Sequence, residues 1–151
     1  MSHRTVLVVV SFGSHALLEL NLAATAAATD ATVVVVDNFS DERERSAIRI
    51  LAAEHGWQLV EAPNDGFGAG VNAGARQGIA MGCDVVVVLN PDLEVTGSTV
   101  DALAAHVRSA LRTAVSPVIV RPTAERGSPE ARSTFAAGGP GRTEARRTSP
   151  G

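Results

Sequence analysis

The sequence predicts an α/β domain: an open, mostly parallel sheet with helices on both faces. Four apolar runs carry that reading: TVLVVVSF (5–12), ATVVVVDN (31–38), WQLVEA (57–62) and CDVVVVLN (83–90). They are continuous rather than alternating, as strands are when both faces are covered. The stretches between them have helical composition, and strand–helix–strand at this spacing calls for right-handed crossovers.

The first strand follows Met-Ser-His-Arg directly. Its six-residue apolar run is too short for a signal peptide or a bilayer span, so a cytoplasmic protein is expected. SHALLELNLAATAAATD then reads as a helix with Ser14 as N-cap and Ala and Leu as strong helix formers. After the second strand, DERERSAIRILAAEHG opens on Asp41 and Glu44, an Asp version of the capping box, and stops at Gly56. A third helix fills 68–82 and a fourth opens at Ser98 or Thr99. TAVSPVIV (113–120) is a candidate fifth strand, where Pro117 suits an edge or a bulge. From about residue 121 the chain is rich in Gly, Pro, Ser, Thr and Arg, with one Phe and almost no aliphatic residues. Such a segment cannot bury enough surface to offset its ordering entropy, so 121–151 is expected to be a disordered tail behind a domain of residues 1–120.

Composition narrows the function classes. The chain has 151 residues, 45% hydrophobic and 19% charged, with one Trp and no Tyr. Scarce aromatics argue against a stacking platform for single-stranded nucleic acid. Residues 1–120 hold 7 Arg against 13 acids, an acidic balance that nucleic-acid binders do not show. All basic residues are Arg, so a phosphate would meet Arg, backbone N–H groups or a cation, never a P-loop lysine. The lone Cys83 excludes an intramolecular disulfide and a cysteine-based zinc site, and is expected to pack as a small apolar residue. His3, His15, His55 and His106 have no ligand spacing.

In open parallel sheets, ligands gather outside the carboxyl ends of the strands. Here those ends read Ser11-Phe12-Gly13-Ser14, Asp37-Asn38, Pro63-Asn64-Asp65-Gly66-Phe67-Gly68 and Asn90-Pro91-Asp92. Asp37, directly after four valines, is either a turn residue or an acceptor for a base imide or ribose hydroxyl. Asn38 and Ser40 read as turn formers. In NDGFGAGVNAG (64–74) the glycines allow close backbone approach to a ligand ahead of a helix N-terminus. Gly68, Gly70 and Ala73 also fit a dinucleotide fingerprint with Asp92 as its later acid, although that fingerprint belongs on a first strand. Asn72 and Arg76 lie four apart on one helix face, either a solvent stripe or a phosphate contact. Asp92 after Pro91 is an ordinary turn or a carboxylate ligand for Mg²⁺ or Mn²⁺.

In order and spacing, VVVSFGS, VVVVDNFSD, NDGFGAGVNAG and VVVVLNPDLEV resemble family 2 glycosyltransferases, with a rhamnosyltransferase-like flavour, over residues 5–107. The resemblance implies a GT-A fold, a nucleotide-binding half related to Rossmann folds, and a UDP-, dTDP- or GDP-linked sugar donor. It implies that Ser11 and Phe12 border the base, that Asp37 hydrogen-bonds it, and that Asn64, Gly66, Phe67, Asn72 and Arg76 belong to the donor-binding set. Asn90 to Asp92 stand where the family places its metal-binding D-x-D, with Asn90 in place of the first aspartate and Asp92 as main ligand. The acceptor would be a glycan or lipid-linked glycan, as in cell-wall polysaccharide synthesis, with the protein at most peripheral to the inner face of the plasma membrane.

One departure stands out. The family's catalytic base is an acid in the second half of its domain, and past residue 101 the only acids are Glu125, Glu130 and Glu144, none in that context. No base is assigned, and the chain reads as a donor-binding portion cut short, whose unpaired sheet edge invites self-association. The competing readings are a dinucleotide-binding oxidoreductase fragment built on Gly68–Ala73 and a non-catalytic nucleotide-binding remnant.

Overall fold

A computed structural model describes residues 4–110 and 112–118. The chain divides into units Met1–Val115 and Ser116–Gly151. In the second unit only 116–118 are described, where the Ser116 hydroxyl donates to the Pro117 carbonyl. The expected tail lies outside the described residues.

Four parallel strands form one sheet in the order β3-β2-β1-β4: β1 (Thr5–Ser11), β2 (Thr32–Asn38), β3 (Gln58–Ala62) and β4 (Val85–Leu89). Period-two alternation sorts their side chains into two cores. Leu7, Val9, Val33, Val35, Val85, Val87 and Leu89 face one side, where they meet Leu18, Leu22, Ile48, Leu51, Val100 and Ala104 from the helices. Val6, Val8, Val10, Val34 and Val36 face the other side with Cys83. Each such side chain taken from water contributes about 1.5–3 kcal/mol, so these valines dominate the stability of the domain. The α/β class and helices on both faces are as the sequence predicts.

Among the described residues a single helix, α4 (Phe67–Ala80), covers the second face, and glycine is what lets it lie close. Gly70, Gly74 and Gly78 make a one-sided stripe against Val10, Val8 and Val6 of β1. A Cβ on Gly70 would stand 2.9 Å from a Val10 methyl. Because α4 lies over β1 and β2, it leaves the outer side of β4 open, and Val88 is 42% exposed. That departs from full burial of the VVVV run: a strand at the edge of the sheet loses cover on the face where one helix serves the whole sheet.

The first face is covered by α3 (Glu42–His55), α5 (Gly97–Ser109) and a composite helix. The composite runs α1 (His15–Leu17), a π-helical turn (Leu18–Leu22) and α2 (Ala23–Ala27). Asp41 caps α3, accepting from the N–H groups of Arg43 and Glu44, and Gly56 ends it in the left-handed region with φ 68°. The reciprocal half of the expected capping box is absent, because the Glu44 carboxylate turns to His15 instead. Ser14 stands at the start of α1 without a side-chain capping bond, and α5 is capped by Thr96, two residues before the expected Ser98. Residues 113–118 of the candidate fifth strand form no strand; 119 and 120 lie outside the described residues.

Besides the Arg45–Asp37 pair at the end of β2, two ion pairs tie α3 to its neighbours. His15 Nδ1 lies 2.8 Å from a Glu44 oxygen, and Arg49 grips Glu61 of β3 in a two-pronged contact. The His15 hydrogen bond holds the Glu44 carboxyl below its ordinary value of 4.5, and the Arg49 guanidinium does the same for Glu61. A carboxylate with a depressed folded pKa contributes stability that is full above its unfolded pKa and lost as pH falls through the folded one. Unfolding midpoints are therefore expected to drop below about pH 4.5, with a shallower dependence in Glu44→Gln. Equal slopes in the variant and the parent would remove this pair from the acid response.

Candidate functional site

Strand order locates the site. From β1 the chain moves outward to β2 and β3, then returns to place β4 on the other side of β1. The switch point therefore falls between β1 and β4, where the loops after the strands diverge and leave a crevice at their carboxyl ends. The register Ser11↔Asp37 and Val9↔Leu89 brings Ser11, Asp37 and Asn90 to this one edge. Asp37 ends β2 and Asn90 directly follows β4, two strands separated by β1 and so about 10 Å apart at ordinary strand spacing.

Asp37 is fully buried, 0% exposed, at the end of β2. One carboxylate oxygen, Oδ2, accepts from Arg45 Nε. The other, Oδ1, has no hydrogen-bond partner. Arg45 comes from the first turns of α3, donates through Nη2 to the Ala62 carbonyl at 3.0 Å, and lies over the Phe39 ring at 4.6 Å. These contacts lock the guanidinium and, with it, the carboxylate. Leaving a buried carboxylate oxygen unpaired costs roughly 1–3 kcal/mol or more, so Oδ1 retains an unused capacity to accept a hydrogen bond. The neighbouring Asn38 Oδ1 and Ser40 Oγ are also buried without partners. Asn38, expected in a turn, is instead the buried last residue of β2, and its Nδ2 donates to Asn64 Oδ1 at 3.2 Å. That bond draws the loop after β3 to the same edge. On the sheet face shared with Asp37, the Ser11 and Ser14 hydroxyls are 2.9 Å apart.

The glycine-rich segment splits into two roles. Gly66 has φ 93° and begins α4, whose first turn contains no acidic residue. Gly68 has nothing within 4 Å of a Cβ position, whereas Gly70 packs on Val10. The dinucleotide fingerprint is therefore not a phosphate cradle: its second glycine serves helix–strand packing, and its helix follows the edge strand β3. Phe12, in the loop after β1, and Phe67, the first residue of α4, are 60% and 52% exposed. Asn72 and Arg76 lie on the exposed side of α4, opposite the glycine stripe, and are not brought together with Asp37.

Asn90 and Asp92 are exposed in a tight turn closed by the Leu93 N–H donating to the Asn90 carbonyl at 3.1 Å. Among the described residues no three His, Cys, Asp or Glu side chains converge to hold a metal ion. What the turn offers is one carboxylate and one amide carbonyl. That suits a hard divalent cation bringing water and phosphate oxygens as its remaining ligands. A hollow of about 440 Å³ lined by Ala26, Thr32, His55 and Trp57 lies at the opposite edge of β2 and contains no carboxylate.

The model for Glycosyl transferase family 2 matches residues 7–150. The chain belongs to this family. The family match runs well beyond residue 107, where the resemblance of the motifs alone ends. No curated protein matches the chain. Among solved structures it is similar to the S. aureus TarS 1–349 crystal structure: TM-score 0.53 and 17% identity, over 70% of this chain and 32% of that one. A second S. aureus TarS structure gives 0.48 and 16%, over 70% and 20%. The likeness is one of fold, and the chain spans about a third of the first structure's length. Membership in the family gives the oxidoreductase reading no support. Among the described residues no helix is long and apolar enough to cross a membrane.

Sequence reasoning missed Arg45, Asn38 and Ser40. The last two differ in no way from turn residues until burial is known. Arg45 is one of several charges on a solvated helix, and only the fold of the loop brings it to Asp37.

Proposed function

We propose that this family 2 chain is a glycosyltransferase donor site, binding a UDP-, dTDP- or GDP-linked sugar across the β1–β4 switch point. The observation that carries the reading is the buried, unpaired Oδ1 of Asp37. It is an acceptor waiting for an N–H or O–H donor, which a base imide or ribose hydroxyl supplies. Ser11 and Phe12 border the base, and Asn64, Gly66 and Phe67 line the nucleotide and sugar. The separation of about 10 Å between β2 and β4 leaves room for a ribose between base and diphosphate.

At the diphosphate, Asp92, with Asn90 beside it, would hold Mg²⁺ or Mn²⁺. Such a cation offsets negative charge as the nucleoside diphosphate departs. The family reaction is displacement at the anomeric carbon. The acceptor hydroxyl oxygen forms the new bond, the bond to the diphosphate oxygen breaks with its electron pair, and a base takes the acceptor proton. The described residues supply the donor half of this chemistry; Glu125, Glu130 and Glu144 lie outside them. A glycan or lipid-linked acceptor at the cytoplasmic membrane face is consistent with this role.

Calorimetric titration with UDP, dTDP and GDP, in Mn²⁺ and then in EDTA, tests the reading. One diphosphate is expected to bind more tightly with Mn²⁺, and Asp92→Ala to bind it in Mn²⁺ only as tightly as the parent does in EDTA. Absence of binding to all three under both conditions would remove the donor-site reading.

A further inference from the structure

The turn that carries Asp92 is seated on a helix. Asn21 Nδ2 donates to the Pro91 carbonyl at 2.9 Å. One turn along, Thr25 Oγ1 accepts from the Val95 N–H at 3.2 Å and donates to the Asn21 carbonyl at 3.2 Å. One turn further, Gly97 lies so close to Ala28 that a Cβ would overlap the Ala28 carbonyl oxygen. Asn21 and Thr25, four apart, form a short polar stripe on one helix face, and Ala28 is the residue that caps the end of α2.

The character of this stripe is unexpected for packing alone. Thr25 is 2% exposed, and it lies next to Leu22 in a helix that otherwise packs with Leu and Ala. Burying a hydroxyl is costly unless it is paired, and here it is paired to loop backbone. Backbone pairing sets the height and course of residues 91–95 whatever side chains they carry. Asn21 sits inside the π-helical turn Leu18–Leu22, a local departure from α-geometry of the kind that recurs at functional sites. Asp92, by contrast, is exposed, so the fold holds its backbone.

We propose that Asn21 and Thr25 are positioning residues that hold the Asn90–Pro91–Asp92 turn so that the Asp92 carboxylate is presented to the cation and diphosphate. This rests on the reading of Asp92 given above. Neither residue touches the ligand. They act through the Pro91 carbonyl and the Val95 amide, as outer groups do for metal ligands.

Two measurements on the 151-residue protein test it: amide exchange in the free protein, and the Mn²⁺ midpoint for stimulating binding of the diphosphate that the parent prefers. Thr25→Val is expected to speed exchange of the Val95 amide about 10-fold while Val8 and Val35 in the sheet are unchanged. Thr25→Val and Asn21→Ala are expected to raise the Mn²⁺ midpoint about 10-fold without altering affinity in EDTA. Thr25→Ser, which keeps the hydroxyl, is expected to restore both. An unmoved Mn²⁺ midpoint in a variant whose loop exchange has risen overturns the proposal. If the parent shows no Mn²⁺ stimulation while the exchange result holds, the reading of Asp92 fails and the stripe is a structural seat alone.

Discussion

Asp37→Ala is expected to weaken nucleoside diphosphate binding about 10- to 100-fold, the roughly 1.5–3 kcal/mol of a hydrogen bond to a charged acceptor. The loss should appear equally in Mn²⁺ and in EDTA, because Asp37 ends β2 while Asp92 lies in the turn after β4, on the other side of β1. The substitution also strips Arg45 of its carboxylate partner, leaving only the Ala62 carbonyl and the Phe39 face. Removing one member of a buried pair costs about 3–5 kcal/mol, so titrations belong well below the variant's unfolding midpoint. Asp37→Asn separates the two effects. An amide retains an oxygen for Arg45, and places an N–H donor where the ligand needs an acceptor. It should therefore be the more stable variant and still bind poorly. Parent-like binding by a folded Asp37→Asn would exclude Asp37 from the base site.

Gly97→Ala should be among the most destabilising single-methyl additions in the domain, by about 3 kcal/mol at the upper end of overpacking costs. The obstacle is the Ala28 carbonyl, a backbone group that cannot rotate away. To admit the methyl, α5 must lift from α2, and the packing of Val100 and Ala104 lifts with it. Gly68→Ala is the internal contrast, since nothing lies within 4 Å of its Cβ position. There only the gain in helix propensity acts, and in the first turn of α4 it should be a fraction of the roughly 1 kcal/mol seen in helix interiors. Urea midpoints of the two variants check the pair; similar midpoints would mean that α5 yields freely.

The strand-end edge was legible in the sequence because it follows from local features. Valine runs that end on Ser11, Asp37 and Asn90 identify both strand and terminus, and parallel pairing then puts the termini together. The glycines of 66–78 were legible only as glycines. Whether one of them meets a ligand or a valine depends on how α4 lies on β1. Gly66 turns the chain with φ 93°, while Gly70, Gly74 and Gly78 bring the helix down onto Val10, Val8 and Val6. The same limit hid the polar partners. Asn21 meets Pro91 and Thr25 meets Val95 across 70 residues of chain, and no local pattern marks either.

The sequence by itself therefore determined the class of fold, the four strands of the sheet, most helix ends and the edge where the polar strand ends gather. These depend on periodicity, capping and strand polarity, which neighbouring residues decide among themselves. Only the tertiary structure decided that Asp37 keeps one oxygen bound to Arg45 and one unpaired, that the stripe of Gly70, Gly74 and Gly78 serves packing, and that a π-turned helix seats the Asp92 turn. Each of these depends on the register between elements far apart in the chain, which is set when two packed surfaces settle against each other.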